Sequence, residues 1–140
     1  MSFLNPVFST ENVSYRDGKR YAWLMSLVLP AVLGCAPLFY LWTGSVAAMW
    51  IPVLLVYGVI PLLDAVIGED RNNPPEEVVE LLEADRYYRA AAYALVPVLW
   101  IAFLGNAWFV GTYELPWIGV VAMAANAGFL CAFGINLGHE

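Results

Sequence analysis

The chain has 140 residues, of which 61% are hydrophobic and only 13% are charged, and its formal net charge is −6. A soluble domain is about 45–50% apolar and about 25% charged, so this composition indicates an integral membrane protein. The acidic balance and the lack of a basic patch in the sequence exclude nucleic acid as a partner.

The first 20 residues are polar and are expected to form a cytoplasmic N-terminal segment. They do not read as a secretory signal, because the apolar run after them is too long and has no small-residue cleavage site. Beyond them, four segments each approach the roughly 20 residues that cross a bilayer. The predicted fold is an all-α integral membrane protein, in which residues 21–138 form a membrane domain with four transmembrane helices. These spans are placed at residues 21–42, 46–67, 90–111 and 117–138.

The second predicted span contains the only charged side chain within the four spans, Asp64. Pro52, Val56, Ile60 and Asp64 recur every four residues, which places them on one face of a regular α-helix. An ionisable group in lipid is costly and indicates a functional site. Asp64 is therefore a candidate for supporting a site. The alternative is a carboxylate that reaches the interface or pairs with an arginine.

The main polar loop, residues 68–89, is predicted to contain a short helix. Pro74 or Pro75 can open it, and Glu76 and Glu77 in its first turn are favourable against the helix dipole. Two interpretations stay open: a surface helix at the membrane interface, or a docking surface for a soluble partner.

The fourth predicted span has small residues at every fourth position, Ala124, Gly128 and Ala132, a pattern that lets helices approach closely. Asn126, in the same span, carries an amide that needs hydrogen-bond partners within lipid.

The charge distribution predicts the orientation of the spans. All basic residues lie before the first span or in the loop between the second and the third, and the other two connections have none. By the positive-inside rule, both termini are then cytoplasmic. The basic residues are Arg16, Lys19, Arg20, Arg71, Arg86 and Arg89.

The only histidine of the chain, His139, follows the fourth span and precedes Glu140. A lone His-Glu pair at a helix end is weak support for a metal site. On the predicted topology, however, His139 emerges at the cytoplasmic face. Asn136 lies three residues earlier on the same helical face and is a candidate for lining a site there.

Three stretches of the chain resemble the membrane-bound alkane hydroxylases, the alkane 1-monooxygenase family. They are KRYAWLMSLVLP at residues 19–30, IPLLDAVIGEDRNNPPEEVVELLEADRYYR at 60–89 and GINLGHE at 134–140. In that family the last stretch continues as a histidine box, His-Glu-[Leu/Met]-Gly-His-Lys. The resemblance implies that residues 139–140 begin such a box and that the chain is an N-terminal fragment ending inside it.

The resemblance also implies an activity for the full-length protein. Such an enzyme inserts one atom of O2 into the terminal methyl group of an alkane at a di-iron centre, with electrons from rubredoxin. It lies in the bacterial inner (plasma) membrane, with the metal site at the cytoplasmic face. A single histidine cannot hold two iron ions, so the 140-residue chain alone is expected to be inactive.

The same resemblance gives roles to individual residues. His139 is expected to be an iron ligand, and Glu140 a residue that orients a ligand or merely faces solvent. Pro52, Val56 and Ile60 are expected to border an apolar substrate channel, unless they only pack against helices or lipid.

Other interpretations stay open. Membrane fatty-acid desaturases and xylene-type hydroxylases also carry histidine boxes at the cytoplasmic ends of helices, although the stretch GEDRNNPPEE favours the alkane enzymes. The second alternative is not an enzyme: a four-helix membrane protein that acts as a structural or interaction subunit.

Overall fold

A computed structural model of the chain describes residues 6–68 and 74–137, with Asn136 and Leu137 described by their backbone alone. The polar N-terminal segment forms an antiparallel hairpin of β1 (Val7–Ser9) and β2 (Ser14–Arg16), in which Phe8 pairs with Tyr15. An all-α fold is therefore wrong for this segment. β-Branched and aromatic residues at these positions favour extended backbone over helix.

The first apolar segment is a broken helix. A 3-10 turn, Arg20–Leu24, leads into α1 (Met25–Gly34), and α2 (Ala36–Thr43) follows with a bend of 48°. The break has a local cause at Pro37, the second residue of α2. Its ring carries no N–H for the carbonyl of Leu33 and clashes with that carbonyl in a regular helix.

The second apolar segment, Val46–Ile67, is continuous but irregular. A 3-10 turn (Val46–Trp50) precedes α3 (Ile51–Leu54), a π-helical turn (Leu55–Val59) and α4 (Ile60–Ile67). In the π turn the Ile60 N–H donates to the carbonyl of Leu55. A regular helix would press the ring of Pro61 against the carbonyl of Tyr57, and the wider turn relieves that contact.

Three further helices complete the described chain: α5 (Glu76–Ala84), α6 (Arg86–Thr112) and α7 (Trp117–Leu137). The short loop helix is confirmed, because Pro75 immediately precedes α5 and its first turn carries Glu76 and Glu77. The Arg89 guanidinium donates to the last carbonyl of α5, that of Ala84, at 2.9 Å.

Among the described residues, three helical segments are long and apolar enough to cross a membrane. They are Val46–Ile67, Arg86–Thr112 and Trp117–Ile135. The bent pair, Arg20–Gly34 with Ala36–Thr43, makes a fourth when it is counted as one span. The protein is therefore a largely helical, multi-pass membrane protein. The count of four spans and the cytoplasmic position of both termini stay predictions.

Two buried clusters form the core. The Met49 cluster joins the second half of the broken helix to the second segment, α6 and α7, and the Leu33 cluster joins the first half to the same partners. The Met49 cluster consists of Ala36, Met49, Phe109, Ala122 and Met123, and the Leu33 cluster of Leu33, Val56, Ala102 and Leu130.

Close helix packing occurs at one position that the small-residue pattern did not indicate. A Cβ atom on Gly34 would lie 2.6 Å from the Cβ of Ala102, so α1 and α6 touch there almost backbone to backbone. The predicted contact along α7 is wrong within the described residues. Ala124, Gly128 and Ala132 are not buried, and a Cβ on Gly128 would meet no atom within 4 Å.

Candidate functional site

A cluster of charged and aromatic side chains fastens the start of the broken helix to the start of α6. The Arg20 guanidinium makes two contacts with the Asp85 carboxylate, Nη1 to Oδ2 at 3.2 Å and Nη2 to Oδ1 at 3.3 Å. The same guanidinium lies 4.1 Å from the ring centre of Tyr87 and 5.2 Å from that of Tyr88. A planar guanidinium suits both the two-pronged carboxylate contact and the aromatic faces.

Further hydrogen bonds connect this cluster of Arg20, Asp85, Tyr87 and Tyr88 to Asp17 and to the backbone of the N-terminal segment. Asp17, only 2% exposed, accepts from the Tyr88 hydroxyl and, at 2.8 Å, from the Lys19 backbone N–H. The Tyr87 hydroxyl donates to the backbone carbonyl of Arg20 at 2.9 Å. The cluster therefore joins residues more than 60 positions apart in the sequence, which positions the N-terminal segment over the entry to α6.

Asp85 both pairs with Arg20 and caps the first turn of α6. Its carboxylate accepts from the Tyr87 backbone N–H at 2.7 Å and so caps α6. Burial by itself would raise the pKa of Asp85. The hydrogen bonds from Arg20 and Tyr87 outweigh burial, and the positive charges of Arg20 and Arg89 add to them, so the pKa lies below its ordinary value. The carboxylate is therefore ionised at neutral pH.

This cluster was not predicted from the sequence. In the sequence, Arg20 is one of the basic residues that indicate orientation, and Asp85 lies in the polar loop at residues 68–89. The features of the sequence that point to this cluster are the two tyrosines between charged residues in the stretch 85–89 and the carboxylate at Asp17.

The predicted stripe of the second segment does not stay on one face. Pro52 and Val56 are buried, Ile60 is half-buried and Asp64 is exposed. The π turn at Leu55–Val59 includes Val56 and takes up more residues than an α-turn, so it rotates α4 relative to α3. A single face running from Pro52 to Asp64 is therefore wrong, because that spacing rule holds only for regular α-helix.

The predicted site at the end of α7 falls mainly outside the described residues. His139 and Glu140 are not described, and of Asn136 only the backbone is, as part of α7. Within residues 6–68 and 74–137, no three His, Cys, Asp or Glu side chains lie close enough to hold a metal ion. The described side chains therefore do not fit a metal centre by themselves.

An apolar cavity of about 340 Å³ opens between α6 and α7. A cavity with apolar walls can hold a hydrocarbon by burial alone. The residues of the predicted channel are not among those lining it. The lining residues are Val96, Leu99, Trp100, Phe103, Leu130, Cys131 and Gly134.

Comparison with known proteins connects the chain to one enzyme family. It is 43% identical to an alkane 1-monooxygenase of Pseudomonas putida, in an alignment covering 90% of this chain and 31% of the relative. An alkane 1-monooxygenase of Ectopseudomonas oleovorans is 42% identical over 90% of this chain and 31% of its own length. Alkane 1-monooxygenase 1 of Alcanivorax borkumensis is 36% identical, in an alignment covering 96% of this chain and 33% of the relative.

No protein-family model matches the chain. The chain spans about a third of the length of these relatives. The similarity covers nearly the whole of this chain, and the resemblance read from the sequence is confirmed. The chain is a relative of the alkane 1-monooxygenases.

Proposed function

We propose that the intact protein is a membrane alkane hydroxylase, which inserts one oxygen atom of O2 into a C–H bond of the terminal methyl group of an alkane and releases a primary alcohol. Two electrons, delivered by rubredoxin, and two protons reduce the other oxygen atom to water. This chain supplies the N-terminal part of its membrane domain. The observation that carries the proposal is the similarity to enzymes named alkane 1-monooxygenase over 90% or more of this chain. The bacterial inner membrane is the corresponding location.

The apolar interior suits such a substrate. An alkane has no hydrogen-bonding group, so only shape and burial in an apolar cavity can select it. We assign the border of the substrate channel to the buried Pro52 and Val56 and the half-buried Ile60. The cavity between α6 and α7 is a second apolar space that could take a hydrocarbon from the bilayer.

The oxygen chemistry belongs to an iron centre, for which we assign His139 as one ligand. Imidazole is a common iron ligand in proteins. Glu140, Asn136 and Asp64 are assigned to orienting or lining that centre, and the remaining ligands lie outside this chain. On the predicted topology the centre faces the cytoplasm, where rubredoxin would deliver electrons. The 140-residue chain alone is then inactive.

Product analysis tests the proposed reaction. Membranes containing the full-length protein, supplied with O2, a linear alkane, rubredoxin and its reductase, are expected to form the primary alcohol. Membranes containing only residues 1–140 serve as the matched control and are expected to form none. An unsaturated product would support a desaturase instead, and the absence of any product from the full-length protein would support a non-catalytic subunit.

The channel assignment predicts a change in chain-length selectivity. Replacing the buried Val56 by tryptophan adds an indole to the proposed wall, so the longest alkane that the full-length enzyme hydroxylates is expected to become shorter. The rate on short alkanes should change less. The measurement is the alcohol yield across a series of linear alkanes.

A matched variant controls for the general effect of a bulky residue in this segment. Val66 is 84% exposed, so V66W is expected to leave selectivity unchanged. If V56W and V66W gave the same profile as the unchanged enzyme, Val56 would not border the channel.

A further inference from the structure

Two buried asparagines carry amide atoms that lack hydrogen-bond partners among the described residues. Asn106 is 2% exposed, and neither its Nδ2 nor its Oδ1 is paired. Asn126 is 0% exposed, and its Oδ1 is unpaired. Its Nδ2 donates to the carbonyls of Met49 at 3.2 Å and Ala122 at 2.8 Å, which supplies the partners expected for this end of the amide. Buried polar atoms are nearly always hydrogen-bonded, so the three unpaired atoms require a partner.

The two amides lie at the same level of the helix bundle. The helix α6 passes from the Leu33 cluster to the Met49 cluster around Asn106. The helix α7 runs back in the opposite direction and crosses from the Met49 cluster to the Leu33 cluster around Asn126. Both side chains therefore occupy the boundary between the two apolar clusters.

The broken helix crosses the same boundary at its bend. Leu33 belongs to one cluster and Ala36 to the other, with the break at Cys35 between them. Pro37, next to this break, has no N–H to donate to the carbonyl of Leu33. Small side chains are frequent around the boundary, since Ala36, Ala102 and Ala122 are all buried there.

We propose that this level of the bundle is an internal water site shared by Asn106 and Asn126. The water accepts a hydrogen bond from Nδ2 of Asn106 and donates one to Oδ1 of Asn126. Buried waters typically make about three hydrogen bonds to polar groups that would otherwise be unpaired, and these amides offer that set. The site links α6 to α7 by a polar contact inside an otherwise apolar interface, where the surrounding lipid offers no alternative partner.

Nuclear magnetic resonance on the unchanged chain in lipid nanodiscs tests the ligand directly. With asparagine side-chain nitrogens labelled, magnetisation is expected to pass from a water proton to the Asn106 amide protons, while those protons exchange slowly with bulk solvent. Asn12, which is exposed, provides the comparison with fast exchange. Slow exchange without any transfer from water would overturn the proposal.

A double-mutant cycle tests whether the two amides share one site. N106L is expected to lower the thermal midpoint by roughly 5 °C, because it leaves Oδ1 of Asn126 without its water contact. The double variant N106L/N126L is expected to lose less than the sum of the single changes. A higher midpoint for N106L, as expected if Asn106 were simply an uncompensated amide, would overturn the proposal. So would additive losses.

Discussion

Replacing Gly34 by alanine is expected to destabilise the protein, although alanine is the better helix former. The new Cβ would lie 2.6 Å from the Cβ and 3.1 Å from the Cα of Ala102. Both atoms are fixed to the α6 backbone, so no side-chain rotation relieves the overlap and the helices must move apart. Overpacking of this kind costs about 1–3 kcal/mol. The measurement is thermal or denaturant unfolding in lipid nanodiscs.

Two further variants separate the steric effect from helix propensity. G105A adds the same methyl group to α6, where it meets no atom within 4 Å, so stability is expected to stay equal or rise by up to about 1 kcal/mol. G34A/A102G removes the opposing Cβ and is expected to recover part of the loss. Equal stability of G34A and G105A would show that α1 and α6 are not in close contact.

The packing at Gly34 also shows what a residue pattern cannot predict. The small-residue stripe on α7 predicted a close contact, and in the described structure that stripe is not buried. The close contact lies instead at a glycine followed by a helix break. A four-residue spacing identifies a face on which close packing is possible. It does not identify the neighbouring helix, which depends on how the whole bundle assembles.

The helices themselves were largely predictable, whereas their irregularities were not. Apolar length identified the segments, and proline followed by glutamates identified the loop helix. Pro37 and Pro61 showed where a backbone hydrogen bond is lost, but not the result. At Pro37 the helix bends by 48°, and before Pro61 it widens into a π turn. The outcome depends on which distortion the surrounding helices accommodate, and that is non-local information.

Among the polar contacts, too, some could be predicted from the sequence and others could not. The need of Asn126 for partners within the bundle followed from its position in an apolar span, and the structure confirms it for the nitrogen of the amide. The contact of Arg20 with Asp85 joins residues 65 positions apart. No local period relates such residues, so the sequence showed two charges without showing that they pair.

For His139, neither a local pattern nor a contact among the described residues indicates a role. A single imidazole has no ligand spacing from which a site can be argued, and the described residues contain no metal-binding group. Its assignment rests on the family resemblance alone. The decisive test must therefore remove this one side chain from the intact protein and measure both the metal and the reaction.

Replacing His139 by alanine in the full-length enzyme is expected to abolish alkane hydroxylation and to lower the iron content. Loss of an outer residue that only orients a ligand typically costs 10–100-fold in metal affinity or activity, so loss of a ligand should exceed about 100-fold. I135A is the matched control on the same helix end, since Ile135 is 63% exposed, and it should retain both iron and activity. An H139A enzyme that kept its iron and its activity would show that His139 is not a ligand. Loss of activity with iron retained would assign His139 a role in the reaction other than metal binding.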